Sequence, residues 1–327
     1  VIDAADVGRF RDDVLALIDT PPGPAAPLGL AVSGGPDSMA LLLLAHAAFP
    51  GAVAAASVDH GLRAANADEA RMVAREASAI GVPHAILEVD GGLSGASLQA
   101  RARAARYASL ARWAGAGGVV AIATAHHADD QAETFLMRAS RGSGVTGLSA
   151  IRPRAVVAGA RLVRPLLGWR RAALRAIVRR AGAAFIDDPS NADPRHDRTR
   201  FRRLLDENEW LDPPALARTA GAIGEAERDL AALADLLWAE RATIGPASVG
   251  IDVAGLPRDT RRRHVRRAIA LIRDDAEIST PAFDAAANVE ALIDALDGGH
   301  RATQAGVIGS PRHGRWHFRA APPRRSL

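Results

Sequence analysis

The sequence predicts an α/β protein: a parallel, Rossmann-like sheet with helices on both faces, followed by a smaller, mostly helical C-terminal domain. Three observations carry that expectation. Short β-prone runs at 28–32, 52–58, 84–89 and 119–124 alternate with stretches of helical periodicity, the pattern of a sheet whose strands are joined by helical crossovers. The segments between those runs are about 20 to 30 residues long, room for one helix each. Beyond Asp206 the alternation stops, and apolar-periodic stretches at 215–242 and 281–296 take over, the second closed by Gly298 and Gly299.

In chain order, Val7, Phe10, Val14 and Leu17 stand at helical spacing with acids among them, so 1–22 reads as an N-terminal helix. It lacks the basic-then-apolar layout of a secretion signal, and a cytoplasmic protein is expected. The sheet is expected to fill a catalytic domain at 23–205, and 206–327 forms the second domain; 327 residues favour two unequal domains over one core. The tail returns to strand-like runs at 305–308 and 316–318, separated by Gly309, Pro311 and Gly314. The longest apolar run, 39–49, is broken by His46 and followed by Pro50, so no membrane-spanning helix is expected.

The absence of cysteine excludes disulfides, Cys-ligated zinc, iron–sulfur clusters and persulfide relays carried on this chain. All 41 basic residues are arginine. The guanidinium fork suits phosphate, yet a GC-rich coding sequence produces the same skew, so the clustering of arginines is more informative than their number.

The first strand runs into Ser33-Gly34-Gly35-Pro36-Asp37-Ser38, and an apolar helical stretch follows from Met39. Two glycines let the backbone approach a phosphate, while serine hydroxyls and the N–H groups of a nascent helix point at the anion. Any tight strand-to-helix turn favours Gly and Ser, but the full hexapeptide is more specific. It resembles the SGGxDS loop of the PP-loop ATP pyrophosphatases, which split ATP between its α and β phosphates to adenylate an oxygen. It is not a Walker A loop, because no Gly-Lys-Ser or Gly-Lys-Thr occurs.

Further segments narrow the resemblance. They are Asp59-His60-Gly61-Leu62-Arg63, Ala102-Arg103-Ala104-Ala105-Arg106-Tyr107, and the block from Thr124 through His126, His127, Asp129, Asp130 and Glu133 to Thr134. Arg141-Gly142-Ser143-Gly144, Arg164-Pro165-Leu166-Leu167 and Asp187-Asp188-Pro189-Ser190-Asn191 follow. Together they resemble the motif series of the tRNA(Ile)-lysidine synthetases across residues 28–205. That resemblance implies an adenine nucleotide alpha hydrolase-like fold, use of ATP and Mg²⁺, and a ligase joining L-lysine to carbon 2 of the wobble cytidine of tRNA(Ile) with a CAU anticodon. The product reads AUA in place of AUG. Two alternatives stand beside it: another PP-loop tRNA-modifying enzyme, or a catalytically silent nucleotide- or RNA-binding protein.

The block from His126 to Glu133 follows a strand, where open parallel sheets place their ligands. Asp129, Asp130 and Glu133 suit either Mg²⁺ against phosphates or the cationic amine of lysine, and the sequence does not assign them. Asp129 and Asp130 equally suit a helix N-terminus. Zinc on His126 and His127 is disfavoured, since adjacent side chains point apart. Arg103 and Arg106 share a helical face. Arg195, Arg198, Arg200, Arg202 and Arg203 form a positive stripe fit for phosphates, although Thr199 stands where the family pattern has asparagine.

By resemblance, the catalytic candidates are Asp37, Arg103, Asp130 and Arg198, with Asp37 and Asp130 as Mg²⁺ ligands. ATP falls to 33–38, Asp59, His60 and His126. The lysine and tRNA candidates are Arg106, Asp129, Asp130, Glu133, Arg141, Gly142 and Arg202. The C-terminal domain is expected to bind tRNA through arginines at 261–263, 266, 267, 312, 315 and 319. The sequence leaves the oligomeric state open, a dimer included.

Overall fold

The computed structural model describes residues 2–59, 64–89, 98–187, 197–284 and 286–322. The chain divides into two compact units, Val1–Gly224 and Glu225–Leu327.

The first unit opens with α1 (Ala4–Leu15), started by the Asp3 carboxylate accepting the Ala5 N–H at 2.8 Å. Strands β1 (Leu28–Ala31), β2 (Val53–Asp59), β3 (His84–Glu88) and β4 (Ala121–Ala123) are separated by α2 (Pro36–Ala48), α3 (Ala64–Ala79) and α4 (Leu98–Ala116). Then come α5 (Ala128–Ala139), α6 (Val145–Leu148), β5 (Arg154–Val157), β6 (Ala160–Val163), α7 (Arg171–Ala181) and α8 (Asp197–Glu207). The sheet order is β3-β2-β1-β4-β6-β5, parallel throughout except for β5, which pairs antiparallel with β6.

That hairpin was not anticipated. Its strands are four residues each, and its turn is carried by Ala158 and Gly159, both at positive φ. The sequence order reverses between β1 and β4, the switch point at which such sheets bind ligands. Helix α2 is apolar on nearly every side and buried from Met39 to Ala45; Pro36 at its first turn fixes the entry angle. Gly29 lets a helix and the chain before β4 close onto β1, since a Cβ there would lie 2.7 Å from Val119 and 3.0 Å from Trp113.

The second unit begins within α9 (Pro213–Arg241) and continues with β7 (Ala242–Gly245), β8 (Ser248–Asp252), α10 (Arg258–Asp275), α11 (Glu290–Asp297), β9 (Ala302–Gln304), β10 (Val307–Arg312) and β11 (Arg315–Ala320). The strands form an antiparallel sheet, β7-β8-β11-β10-β9. One face buries Val249, Ile251, Trp316 and Phe318 against Val265, Ile269, Leu292 and Ile293 of the helices. Helices hold most of the regular structure of this unit, and the structure adds to the helical domain expected a five-stranded antiparallel sheet that they cover. The helix expected at 281–296 starts at Glu290. Before it, Asp284 and Asn288 side chains accept the N–H groups of Ala286 and Glu290, local bonds that compete with helix. Among the described residues no helix is long and apolar enough to cross a membrane.

Candidate active site

At the carboxyl ends of β1, β2 and β4 lies a cavity of about 620 Å³. Its floor is the 33–38 loop. Gly34 adopts φ +86°, and a Cβ there would meet Met72 and Val73 at 3.3–3.4 Å, so this position requires glycine. The loop is tied by the Ser38 hydroxyl, which donates to Gly35 O at 2.9 Å and accepts the Ser33 N–H at 3.1 Å. The Gly34 carbonyl accepts the Ile186 N–H at 2.9 Å. Gly35 caps α2 with no side chain in the way, leaving the helix N-terminus facing the cavity.

Asp37 stands in the first turn of α2. One of its oxygens, Oδ1, is buried with no hydrogen-bond partner, and the other faces His127 Nε2 at 3.4 Å. His127 caps α5 in a box: its N–H donates to Asp130 Oδ2 at 3.0 Å, and its Nδ1 accepts the Asp130 N–H at 3.3 Å. Burial works against a charge on His127, but the Asp37 hydrogen bond and the charges of Asp130, Asp37 and Asp129 outweigh it and raise its pKa above 6.5. The long N–H···Nδ1 contact is a weak competitor for that proton.

His126 goes the other way. Burial, with Arg164, Arg198 and Arg103 nearby and only Asp130 opposing, lowers its pKa to about 4. It is a neutral imidazole at neutral pH, and its Nδ1 lies 2.9 Å from the Thr124 hydroxyl.

The acids divide in the same block. Asp130 lines the cavity, and the charges of His127, Arg198 and His126 outweigh burial and lower its pKa. Its Oδ1 accepts from Arg198 at 2.6 Å. Glu133, 1% exposed, is held by Arg198 Nε and Arg202 Nε, both at 2.7 Å. Asp129 turns away from the cavity and accepts the Arg171 N–H at the start of α7 at 2.8 Å. Of the three acids expected to meet ligand, Asp130 alone presents itself at the cavity wall.

Arg103, Arg106, Arg198 and Arg202 all line the cavity, which brings two helices 92 or more residues apart in sequence onto one space. Arg103 and Arg106 sit over the Tyr107 ring at 5.0 and 5.2 Å. Arg141 is directed elsewhere, paired with Asp197 at 2.5 Å beside a shallow cavity with Arg200 and Phe201. Gly142 follows it at φ +68°. Asp59 ends β2, and Ala56, Ser57 and Val58 of that strand form the cavity wall in its place. His60 and residues 188–196 lie outside the described residues.

Sequence reading missed Arg171 and Arg175. Both line the cavity from the first turns of α7, Arg175 pairing with Asp187 at 2.5 Å. Their signal was a pair four apart at a helix start, just past Arg164-Pro165-Leu166-Leu167. It also assigned no role to His127, which the cap and Asp37 identify as the hub of the block.

A sequence profile of the PP-loop domain matches residues 11–208. The chain is 42% identical to a tRNA(Ile)-lysidine synthase of Zymomonas mobilis over 97% of its own length and 94% of that protein. It is 41% identical to one of Novosphingobium aromaticivorans over the same shares. Among solved structures it is similar to the U34-tRNA thiolase NcsA from Methanococcus maripaludis with its [4Fe-4S] cluster. That likeness has a TM-score of 0.51 at 15% identity over 67% of this chain and 78% of that one, and it speaks to fold alone.

Proposed function

The chain belongs to the tRNA(Ile)-lysidine synthase family of PP-loop proteins, and we propose that it uses ATP in the cytoplasm to join L-lysine to carbon 2 of the wobble cytidine of CAU-anticodon tRNA(Ile). The observation that carries this reading is one cavity walled by the 33–38 loop, Asp37, Asp130 and four arginines from α4 and α8. A thiolation reaction run through cysteines or a cluster is disfavoured by the absence of cysteine.

The chemistry divides into two steps. The cytidine O2 attacks the α-phosphorus of ATP and pyrophosphate leaves; the lysine side-chain amine then attacks carbon 2, loses a proton, and AMP leaves. The adenine is expected against Ala31, Ala56, Val58 and Leu110, the apolar part of the wall. The phosphates fall to the loop N–H groups and the α2 N-terminus. Arg103 and Arg106 offset the charge that builds on the transferring phosphoryl group.

The orphaned Asp37 Oδ1 fits a Mg²⁺ ligand, since Mg²⁺ takes one or two carboxylates and completes its shell with phosphates and water. Bound there, Mg²⁺ would neutralise phosphate charge in the adenylation. Both Asp130 oxygens already have donors, so we assign Asp130 to orienting His127 and Arg198 and to attracting the lysine amine. Arg198 and Arg202, oriented by Glu133, are suited to the lysine carboxylate or the AMP phosphate.

The test is ATP-dependent incorporation of labelled lysine into a CAU-anticodon tRNA(Ile) transcript, with a methionine-tRNA transcript and Asp37→Asn as controls. Incorporation into the isoleucine transcript is expected, with the Asp37→Asn rate down by two orders of magnitude or more. ATP cleavage without lysine transfer would sink the reading.

A further inference from the structure

We propose that Arg171 and Arg175 of α7 are further catalytic residues of the adenylation step, holding the pyrophosphate as it leaves. This rests on the reading above that ATP is split between its α and β phosphates in this cavity.

The two arginines are four apart in α7, so they share one face of the helix, and both line the cavity. The apolar side of α7 fixes where that face looks. Leu174, Ile177 and Val178 are buried in the core that also holds Met39 to Ala45 of α2. Strand alternation separates this core from the other one. Leu30, Ala55, Ala123 and Val163 point towards α2 and α7, whereas Ala56, Ile122 and Leu162 point to the opposite face, where Tyr107 and Leu110 of α4 pack. Arg171 and Arg175 therefore enter the cavity from the side of the phosphate loop and its helix, and Arg103 and Arg106 enter from the other side of the sheet.

The chain after α7 returns to that loop. The Ile186 N–H donates to Gly34 O at 2.9 Å, and the Ile186 carbonyl lies 4.0 Å from where a Gly35 side chain would begin. Asp187, the next residue, pairs with Arg175 at 2.5 Å, which keeps Arg175 beside the loop.

Neither guanidinium is used up by its acid. Asp187 is more than half exposed, so solvent screens its pull, and Arg175 Nε is buried with no hydrogen-bond partner among the described residues. A buried donor without an acceptor is costly, and a phosphate oxygen supplies one. Arg171 faces the exposed Asp206 at 3.6 Å, beyond hydrogen-bonding distance. Arg198 and Arg202 differ, each already bound to buried Glu133 at 2.7 Å. The backbone end of α7 is taken as well, since Asp129 accepts the Arg171 N–H, so an anion at this wall meets side chains.

Adenylation is a displacement at phosphorus. The bond from the cytidine O2 to the α-phosphorus forms, the bond to the α,β-bridging oxygen breaks, and that electron pair leaves with the pyrophosphate. The attacking and leaving oxygens stand roughly in line, so charge builds on the leaving oxygen away from the nucleophile. Two arginine pairs on opposite faces of the sheet match that division. Arg103 and Arg106 face the phosphoryl group that is transferred; Arg171 and Arg175 face the one that departs, where guanidinium forks complement the growing charge.

The experiment follows pyrophosphate. Full-length protein, CAU-anticodon transcript, Mg²⁺ and ATP are mixed without lysine in a single turnover and pyrophosphate release is timed, with inorganic pyrophosphate and AMP titrated as inhibitors. Arg171→Gln and Arg175→Gln are taken singly, so that each tests the proposal by itself, and thermal melts establish folding. Arg179→Gln is the charge control, because Arg179 is exposed in the last turn of the same helix. Each cavity variant is expected to release pyrophosphate about a hundredfold more slowly. Pyrophosphate should inhibit it roughly tenfold more weakly, and AMP within about twofold of wild type. The control keeps all three wild-type values. Lysine transfer to adenylate already formed should run at the wild-type rate, because pyrophosphate has gone by then. Wild-type pyrophosphate inhibition in the cavity variants would overturn the proposal. Pyrophosphate and AMP inhibition weakening together would overturn it too, by assigning the arginines to the phosphate that stays, and so would equal slowing of lysine transfer. A wild-type protein that releases no pyrophosphate from ATP and the transcript would remove the reading above and these roles with it.

Discussion

His126 and His127 are neighbours in sequence with opposite electrostatic surroundings, and stability should record the difference. The lowered pKa of His126, about 4 against 6.5 unfolded, means the unfolded chain gains a proton first as pH falls. Its contribution is present above pH 6.5 and is lost between 6.5 and 4, which amounts to about 2 kcal/mol from pH 7 to pH 5. The pKa of His127 is raised, so its contribution is full below 6.5 and is lost as pH climbs through the folded value. Urea unfolding of His126→Gln should therefore show a stability deficit that shrinks on acidification. His127→Asn, which still caps α5, should show one that grows. Parallel profiles for the two variants would refute the assignment of opposite surroundings.

At the scale of elements, Asp129 joins α5 to α7, accepting the Arg171 N–H at 2.8 Å with Arg170 beside it at 3.3 Å. A carboxylate at a helix N-terminus is worth about 1–2 kcal/mol. Asp129→Ala should lower stability by that amount in a denaturant melt and leave the apparent KM for lysine within twofold; a tenfold KM increase would instead return Asp129 to the ligand. The sequence could not separate Asp129 from Asp130, because the choice depends on which way successive positions of α5 face once α7 is docked. The strands at 28–32 and 52–58 and the turn at 33–38 were legible from local pattern, since buried parallel strands and a Gly-rich turn carry their own composition. The β5–β6 hairpin was not, being too short for alternation to register. Nor was the pairing of Glu133 with Arg198 and Arg202, which spans more than 60 residues and is made by tertiary packing alone. The arginine stripe at 195–203 was visible as charge; its counter-charges were not.

At the scale of the whole molecule, each unit has its own apolar core: Leu28, Leu41, Leu44 and Trp169 belong to one, and Ile251, Ile269, Ile293 and Phe318 to the other. The cavity is lined entirely by residues of the first unit, 31 to 202. Separate cores make unfolding in more than one step the expectation, and a nucleotide that binds only the folded first unit stabilises only that unit. At a concentration near 100 times Kd the linkage is about 2.7 kcal/mol, which for a unit of some 200 residues raises its midpoint by roughly 5–10 °C. Calorimetry with and without a non-hydrolysable ATP analogue should thus move one component of the endotherm and leave the other in place. Adding the CAU-anticodon transcript alone should displace the same component, since its wobble cytidine is expected in the cavity of the first unit. If every ligand shifted one sharp transition as a whole, α9, which runs from the first unit into the second, would be coupling the two cores into a single cooperative fold.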